Sequence, residues 1–201
     1  MQRHQREASI FMSHKKDKIR NISKSNREAL KKDFIKQASN DISQKIITSK
    51  YFKDANNIGC YLSTEYEVST DIIISSIHKT NKNLYVPKIK QEYAMDFVKM
   101  TLNSNMVKNK FGIHEPLSED IIDANKLDIV VVPIVAFDEK KNRIGMGGGF
   151  YDRKFKYKKN TKNKYPLLIG VAFECQKVEK IKPECWDVKL SAIVTELNEF
   201  N

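Results

Sequence analysis

The stretch NRIGMGGGFYDR, Asn142 to Arg153, holds four of the chain's seven glycines within five residues and follows them with an aromatic pair, an aspartate and an arginine. Glycine has the most conformational freedom to lose on ordering, so a cluster of this kind marks either unusual dihedrals or the close approach of a ligand to the backbone. A bulky anion suits it, because bare backbone N–H groups running into a helix N-terminus make an anion cradle. The spacing matches neither of the common phosphate loops. G-x-x-x-x-G-K-[ST] is absent, and Gly145-Met146-Gly147-Gly148-Gly149-Phe150 lacks the final glycine of G-x-G-x-x-G. A tight turn with no ligand is the plain alternative.

Three further sets of residues bear on the choice. Lys16 and Arg20 stand four apart and share a helix face, where two cations repel unless something anionic lies between them; a solvated face is the ordinary alternative. In YLSTEYEVSTD, Glu67 follows a strand end and can accept a ligand's N–H groups, although acids in turns are commonplace. Asp152 lies in the glycine segment and Asp187 in KPECWDVKLSAIVTE; if the fold joins them, two carboxylates beside phosphate are what magnesium prefers. His4, His14, His78 and His114 show no metal-ligand spacing, and no G-x-S-x-G elbow accompanies them, which argues against a hydrolytic triad. Cys60, Cys175 and Cys185 are odd in number and form no C-x-x-C pair, so they read as ordinary thiols.

The elements that must position these residues alternate between two periods. Lys16 to Ala29 reads as a helix, and a second from Lys31 to Tyr51 places Phe34, Ala38, Ile42 and Ile46 at four-residue steps for one apolar stripe. Short β-rich runs follow: IGCYLS, LYVPKI, MDFVKM, LDIVVVPIVAF, PLLIGVAF and SAIVTE, with the helix-like STDIIISSIHKT between the first two. LDIVVVPIVAF is apolar on both faces, as a central strand covered on each side must be. The expectation is an α/β fold: a three-layer, Rossmann-like domain with a mainly parallel sheet and the N-terminal helices packed on it. Ligands of such sheets bind beyond the carboxyl ends of the strands. The glycine cluster is expected there, after the strand ending at Phe137 and the turn DEKKN, with FYDRKF beginning the next helix.

Composition sets the outer bounds. The chain has 201 residues, enough for one well-buried domain, and no apolar run approaches the ~18 residues of a membrane span. Residues 1–14 lack the apolar core of a secretory signal and read as a mobile extension, 15–201 as the domain, and the protein as cytoplasmic. The formal charge of +11 leaves open nucleic acid, an anionic small molecule or a lysine-rich surface. The run RKFKYKKNTKNK interleaves Phe155 and Tyr157 with seven basic residues in the manner of an RNA-binding segment, though a solvated surface is the ordinary reading.

The order and company of KDKIR, YLSTEYEVSTD, YVPKI, MDFVKM, FGIHEP, LDIVVVPIVAFDEKKNRIGMGGGFYDR and WDVKLSAIVTE resemble the 5-formyltetrahydrofolate cyclo-ligase family, from about Lys16 to Glu196. The resemblance implies a three-layer α/β enzyme that uses ATP and Mg2+ to turn 5-formyltetrahydrofolate into 5,10-methenyltetrahydrofolate. It implies phosphorylation of the formyl oxygen and attack by nitrogen 10. It puts Lys16, Arg20, Arg143 and the loop Gly145, Met146, Gly147, Gly148, Gly149, Phe150 and Tyr151 on ATP, with Arg20, Arg143 and Tyr151 in the catalytic role. Leu62, Glu67 and Tyr151 fall on the folate, with or without a polyglutamate tail, and Asp152 and Asp187 on the magnesium. Some members carry Arg and Lys in the loop where this chain has Met146 and Gly148, so charge beside the transferring phosphate is expected from Arg20, Arg143, Arg153 or the metal. A monomer without nucleic-acid or membrane partners is expected. Another α/β enzyme of phosphorylated ligands, or a basic RNA-binding module, is the alternative.

Overall fold

The computed structural model describes residues 2–109, 112–159 and 164–201, with side chains from residue 14 onward. Five helices, α1 (Gln2–Glu28), α2 (Lys32–Thr48), α3 (Lys50–Asp54), α4 (Asp71–Lys79) and α5 (Phe150–Lys154), accompany twelve strands among these residues. The strands are β1 (Asn57–Cys60), β2 (Asn83–Ile89), β3 (Met95–Met100), β4 (Met106–Lys108), β5 (His114–Pro116), β6 (Ile121–Ile122), β7 (Ile129–Pro133), β8 (Ala136–Phe137), β9 (Arg143–Ile144), β10 (Leu167–Val171), β11 (Ala192–Val194) and β12 (Glu199–Phe200).

Eight strands form one sheet in the order β12-β11-β10-β7-β1-β2-β3-β6. Its centre, from β11 through β10, β7 and β1 to β2, is parallel. β12, β3 and β6 add antiparallel edges. The expected α/β class with a mainly parallel sheet is what the chain forms. β7 sits at the middle and is buried on both faces, which is why its sequence is apolar without alternation. Ile129 and Val131 join a core with Ala38, Ile42 and Ile46 of α2 and Ile73 and Ile77 of α4. Val130 and Val132 join a second core on the other face, with Phe97, Phe155 and Leu168.

Several elements differ from the reading of the sequence. α1 begins at Gln2 rather than near Lys16, so its helical backbone runs through the segment read as an extension. The second helix divides at Ser49, whose extended backbone (ψ 153°) stops α2 while its hydroxyl accepts the Phe52 N–H at 3.2 Å and caps α3. Phe34 stays 43% exposed beside the Phe173 ring, leaving Ala38, Ile42 and Ile46 to carry the stripe. LDIVVVPIVAF is two strands, not one: β7 enters the sheet, and β8 turns out of it to pair with β9 as a hairpin. The buried Asp138 carboxylate holds that hairpin by accepting from Asn142 N, Asn142 Nδ2 and Ile181 N at 2.9–3.0 Å. The glycine segment thus leaves a pinned hairpin beyond the carboxyl end of β7 and enters α5 at Phe150.

Candidate functional site

A cavity of about 570 Å³ opens at the glycine segment. α1 supplies Lys16, Asp17 and Arg20; β9 and its loop supply Arg143, Ile144, Gly145, Gly147 and Gly149; α5 supplies Asp152 and Arg153. Lys156, Lys159, Glu184, Trp186 and Asp187 complete the wall. Residues at the two ends of the chain therefore meet here. α1 lies on the hairpin because Ile19 packs against Ala136, Ile144 and Ile181. That contact carries Lys16 and Arg20 over the glycine loop.

The cations are already engaged. Lys16 Nζ donates to Asp187 Oδ2 at 2.8 Å and stands 3.8 Å from Glu184 Oε1. Arg20 pairs with Asp17 and donates from Nε to the Gly145 carbonyl at 2.8 Å. Arg143, whose side chain is only 6% exposed, donates to the Val188 carbonyl and to Asp152 Oδ1, the latter at 2.7 Å. The repulsion expected between Lys16 and Arg20 is relieved by these acids.

Asp152 and Asp187 line the same cavity, as a shared magnesium site requires. Each uses one oxygen on protein donors. Asp152 Oδ1 takes Arg143 and Val188 N (2.9 Å); Asp187 Oδ2 takes Lys16 and Glu184 N (2.9 Å). No cluster of three or more His, Cys, Asp or Glu suited to a metal exists among the described residues. Two carboxylates without a third protein ligand fit magnesium, which keeps waters and takes phosphate oxygens rather than filling an all-protein cage.

The glycines divide by role. Gly147 (φ +101°) and Gly149 (φ +64°) adopt backbone conformations that disfavour side chains, and both face the cavity. A β-carbon at Gly147 would lie 3.8 Å from the Arg20 guanidinium. Gly148 has an ordinary φ and does not line the cavity; a β-carbon there would meet the Phe150 ring at 2.5 Å. Met146, Phe150 and Tyr151 lie outside the lining as well, and Met146 is 62% exposed.

Leu62, Glu67 and Tyr151 lie outside this lining. Leu62 packs on the first core just beyond β1, and Tyr151 on the second. The Glu67 carboxylate is aimed by Thr64, whose N–H and hydroxyl donate to Oε2 at 2.9 and 3.0 Å. Tyr151 is half-buried and stacks on Phe155. Burial pushes its phenol up from the usual 10.0, and the charges of Cys60 and Glu67 push the same way while Arg143 opposes them. Tyr151 thus feels the charge of Glu67 and, from the cavity, that of Arg143. Burial likewise raises Tyr61, whose hydroxyl donates to the Val68 carbonyl at 2.7 Å, and lifts the Cys60 thiol to about 12.

Asp17, Lys156, Lys159, Glu184 and Trp186 line the cavity without having been assigned to it from the sequence. The basic run was the available signal for the two lysines. It read as a solvated surface because nothing local shows that a 3₁₀ turn (Lys156–Lys159) folds back on the cavity. The three thiols are free, and no helix among the described residues is long and apolar enough to cross a membrane.

Comparison with known proteins finds relatives across most of the chain. The model of the 5-formyltetrahydrofolate cyclo-ligase family matches residues 12–196. The 5-formyltetrahydrofolate cyclo-ligase of Haemophilus influenzae is 38% identical over 162 residues, covering 79% of this chain and 85% of that protein. Its counterpart in Escherichia coli K12 is 36% identical over 145 residues, 70% and 78% of the two chains. The solved structure of Aquifex aeolicus 5,10-methenyltetrahydrofolate synthetase superposes with a TM-score of 0.79 at 26% identity, covering 92% of this chain and 91% of that one.

Proposed function

The chain belongs to the 5-formyltetrahydrofolate cyclo-ligase family, and on that premise we propose that it uses ATP and magnesium to close 5-formyltetrahydrofolate into 5,10-methenyltetrahydrofolate. The observation that carries the reading is the convergence of Lys16, Arg20, Arg143, the glycine loop, Asp152 and Asp187 on one cavity, although Lys16 and Asp187 are 171 positions apart.

The chemistry follows from the substrate. The formamide oxygen on nitrogen 5 is a poor leaving group. Its attack on the γ-phosphorus of ATP forms an O–P bond and releases ADP; nitrogen 10 then bonds to the formyl carbon, loses its proton, and phosphate departs. The protein's part is to hold the two reactants in line and to place positive charge where the phosphoryl oxygens lie. Lys16, Arg20 and Arg143 supply the charge, and Arg153, Lys156 and Lys159 extend it along the cavity. Gly145, Gly147 and Gly149 let the phosphates approach the backbone. Asp152 and Asp187 would hold magnesium, which neutralises phosphate charge when bound. Glu67 accepts N–H donors of the pterin, Leu62 covers its apolar face, and Tyr151, protonated in its buried setting, donates from between the two substrates. Tyr151, Arg20 and Arg143 remain the catalytic assignments, and Met146, Gly148 and Phe150 shape the loop.

The same reading makes the protein a cytoplasmic monomer that accepts polyglutamylated folate and uses its basic run for phosphates rather than nucleic acid. Purified protein with ATP, magnesium and 5-formyltetrahydrofolate should generate the methenyl absorbance, and omission of ATP should abolish it. ATP-independent turnover, or none with all three present, would overturn the assignment.

A further inference from the structure

Among the described residues that line the cavity, one side chain is aromatic. Trp186 is 59% exposed, and Ile144, the other large apolar residue in the wall, is itself only 3% exposed. Everything else there is charged or glycine. Single exposed hydrophobic side chains are ordinary on protein surfaces. Leu102 and Leu197 are more exposed still, but neither lines the cavity.

The backbone carrying Trp186 is fastened on both sides. Asp187 N donates to the Glu184 carbonyl at 3.1 Å, and Glu184 N donates back to Asp187 Oδ2 at 2.9 Å, closing a tight turn around Cys185 and Trp186. Lys159 Nζ donates to the carbonyls of Cys185 and Asp187. Lys16 grips Asp187, the next residue, so the exposed indole sits directly beside the cationic wall. A rigid turn that holds a ring at the edge of an anion cavity, with no other aromatic ring in contact among the described residues, is built as a stacking surface.

We propose that Trp186 is a positioning residue for the nucleotide: the purine ring of ATP stacks on its indole while the phosphates lie against Lys16, Arg20 and the glycine loop. The proposal rests on the ATP reading above and deepens it. No other surface of the cavity offers a flat apolar face to the base. Stacking on an aromatic ring tolerates any base, since every base has a π-face. Trp186 therefore sets how tightly a nucleoside triphosphate is held relative to a bare polyphosphate, not which purine is chosen.

The chain has a single tryptophan, so its emission reports this position alone. Titration with magnesium ATP should quench the emission, whereas inorganic tripolyphosphate should displace ATP yet leave most of the emission in place. Trp186→Ala should raise the KM for ATP about ten-fold or more. The inhibition constant of tripolyphosphate should stay unchanged, and kcat should fall by less than about three-fold. Trp186→Phe should restore most of the loss. A merely structural role would weaken ATP and tripolyphosphate together, and phenylalanine would not separate them. ATP that binds and turns over with no more quenching than tripolyphosphate, or an unchanged KM in Trp186→Ala, would overturn the proposal while leaving the ATP reading intact. Absence of ATP binding by calorimetry would instead remove the ATP reading, and this inference with it.

Discussion

Around the glycine loop, Lys16, Arg20 and Arg143 each hold a carboxylate of the protein itself: Asp187, Asp17 and Asp152. Beyond β1 the chemistry is different. There Glu67 is aimed by a neighbouring threonine, Tyr61 is tied to a backbone carbonyl, and the buried thiol and phenols keep their protons. An anion entering the first region must exchange partners with acids already in place, so its gain is a difference between two sets of charge interactions. A ligand entering the second meets groups oriented before it arrives. On the proposed function, the first region would take a metal and phosphates that come and go each turnover, and the second a fixed pattern of donors and acceptors.

The largest way to break this comparison is to stiffen the exchanging side. Gly147→Val puts a branched side chain where φ is +101° and the Arg20 guanidinium lies 3.8 Å from the new β-carbon. Its kcat/KM should fall about 100-fold or more through displaced groups, with strain of about 1–3 kcal/mol. Gly148→Val should cost less kcat/KM but more loop stability, because its β-carbon would overlap the Phe150 ring at 2.5 Å rather than enter the cavity. The melting temperature measured beside activity separates the two effects. Normal turnover in Gly147→Val would remove the close-approach argument.

Next comes the carboxylate exchange itself. Asp152→Asn should lower magnesium-dependent turnover roughly 10–100-fold. It should also destabilise the fold by about 1–3 kcal/mol, because the largely buried Arg143 loses its counter-charge. Asp187→Asn should cost less stability, since its partner Lys16 is 19% exposed against 6% for Arg143. Equal magnesium dependence in wild type and both variants would sink the metal assignment. On the oriented side, Glu67→Gln should weaken folate about ten-fold, the loss of one charge-assisted hydrogen-bond pair. ATP affinity should hold steady. Parallel loss of both ligands would mean the two regions are not independent.

How much of this was legible follows from the range of each interaction. The stripe Ala38-Ile42-Ile46, the strands at Leu84, Met95 and Leu167, and the two-faced burial of Ile129–Pro133 are local patterns, and they folded as read. The break at Ser49 was not visible, because a serine inside an apolar period carries no distinctive signal until its hydroxyl finds Phe52 N. β8 and β9 were missed for a related reason. What turns Ala136 out of the sheet is Asp138 gathering donors from Asn142 and from Ile181, 43 residues on. In the site, the resemblance pointed to Lys16, Asp152 and Asp187, but not to the internal ion pairs that join them to one another or to Arg143. The glycines illustrate the limit best. The cluster was plain, yet which members need positive φ depends on the hairpin that feeds them, and Gly147 and Gly149, not Gly148, carry that burden.

The smallest expected effect tests the oriented side through its protons. Cys60 is fully buried behind the end of β1, and its thiol is pushed from 9.0 up to about 12, chiefly by desolvation. Burial raises the phenols of Tyr61 and Tyr151 in the same direction. In the unfolded chain the thiol loses its proton near its ordinary value, while the folded protein still holds it. The stabilisation is therefore complete below about pH 9 and drains away as the pH climbs toward about 12, because alkali favours the state that ionises first. Cys60→Ala should be less stable than wild type near neutrality, by about 1 kcal/mol for the lost packing. That gap should narrow as urea unfolding is repeated from neutral to alkaline pH, since the variant has no thiol to ionise. Asp187→Asn keeps Cys60, so its stability should run parallel to wild type through the same series. A Cys60→Ala gap that stays constant with pH would mean that the thiol ionises as easily in the fold as out of it. The interior beside β1 would then be wet, and the contrast between an exchanging region and a dry, proton-holding one would fail at the residue where it is most exposed to measurement.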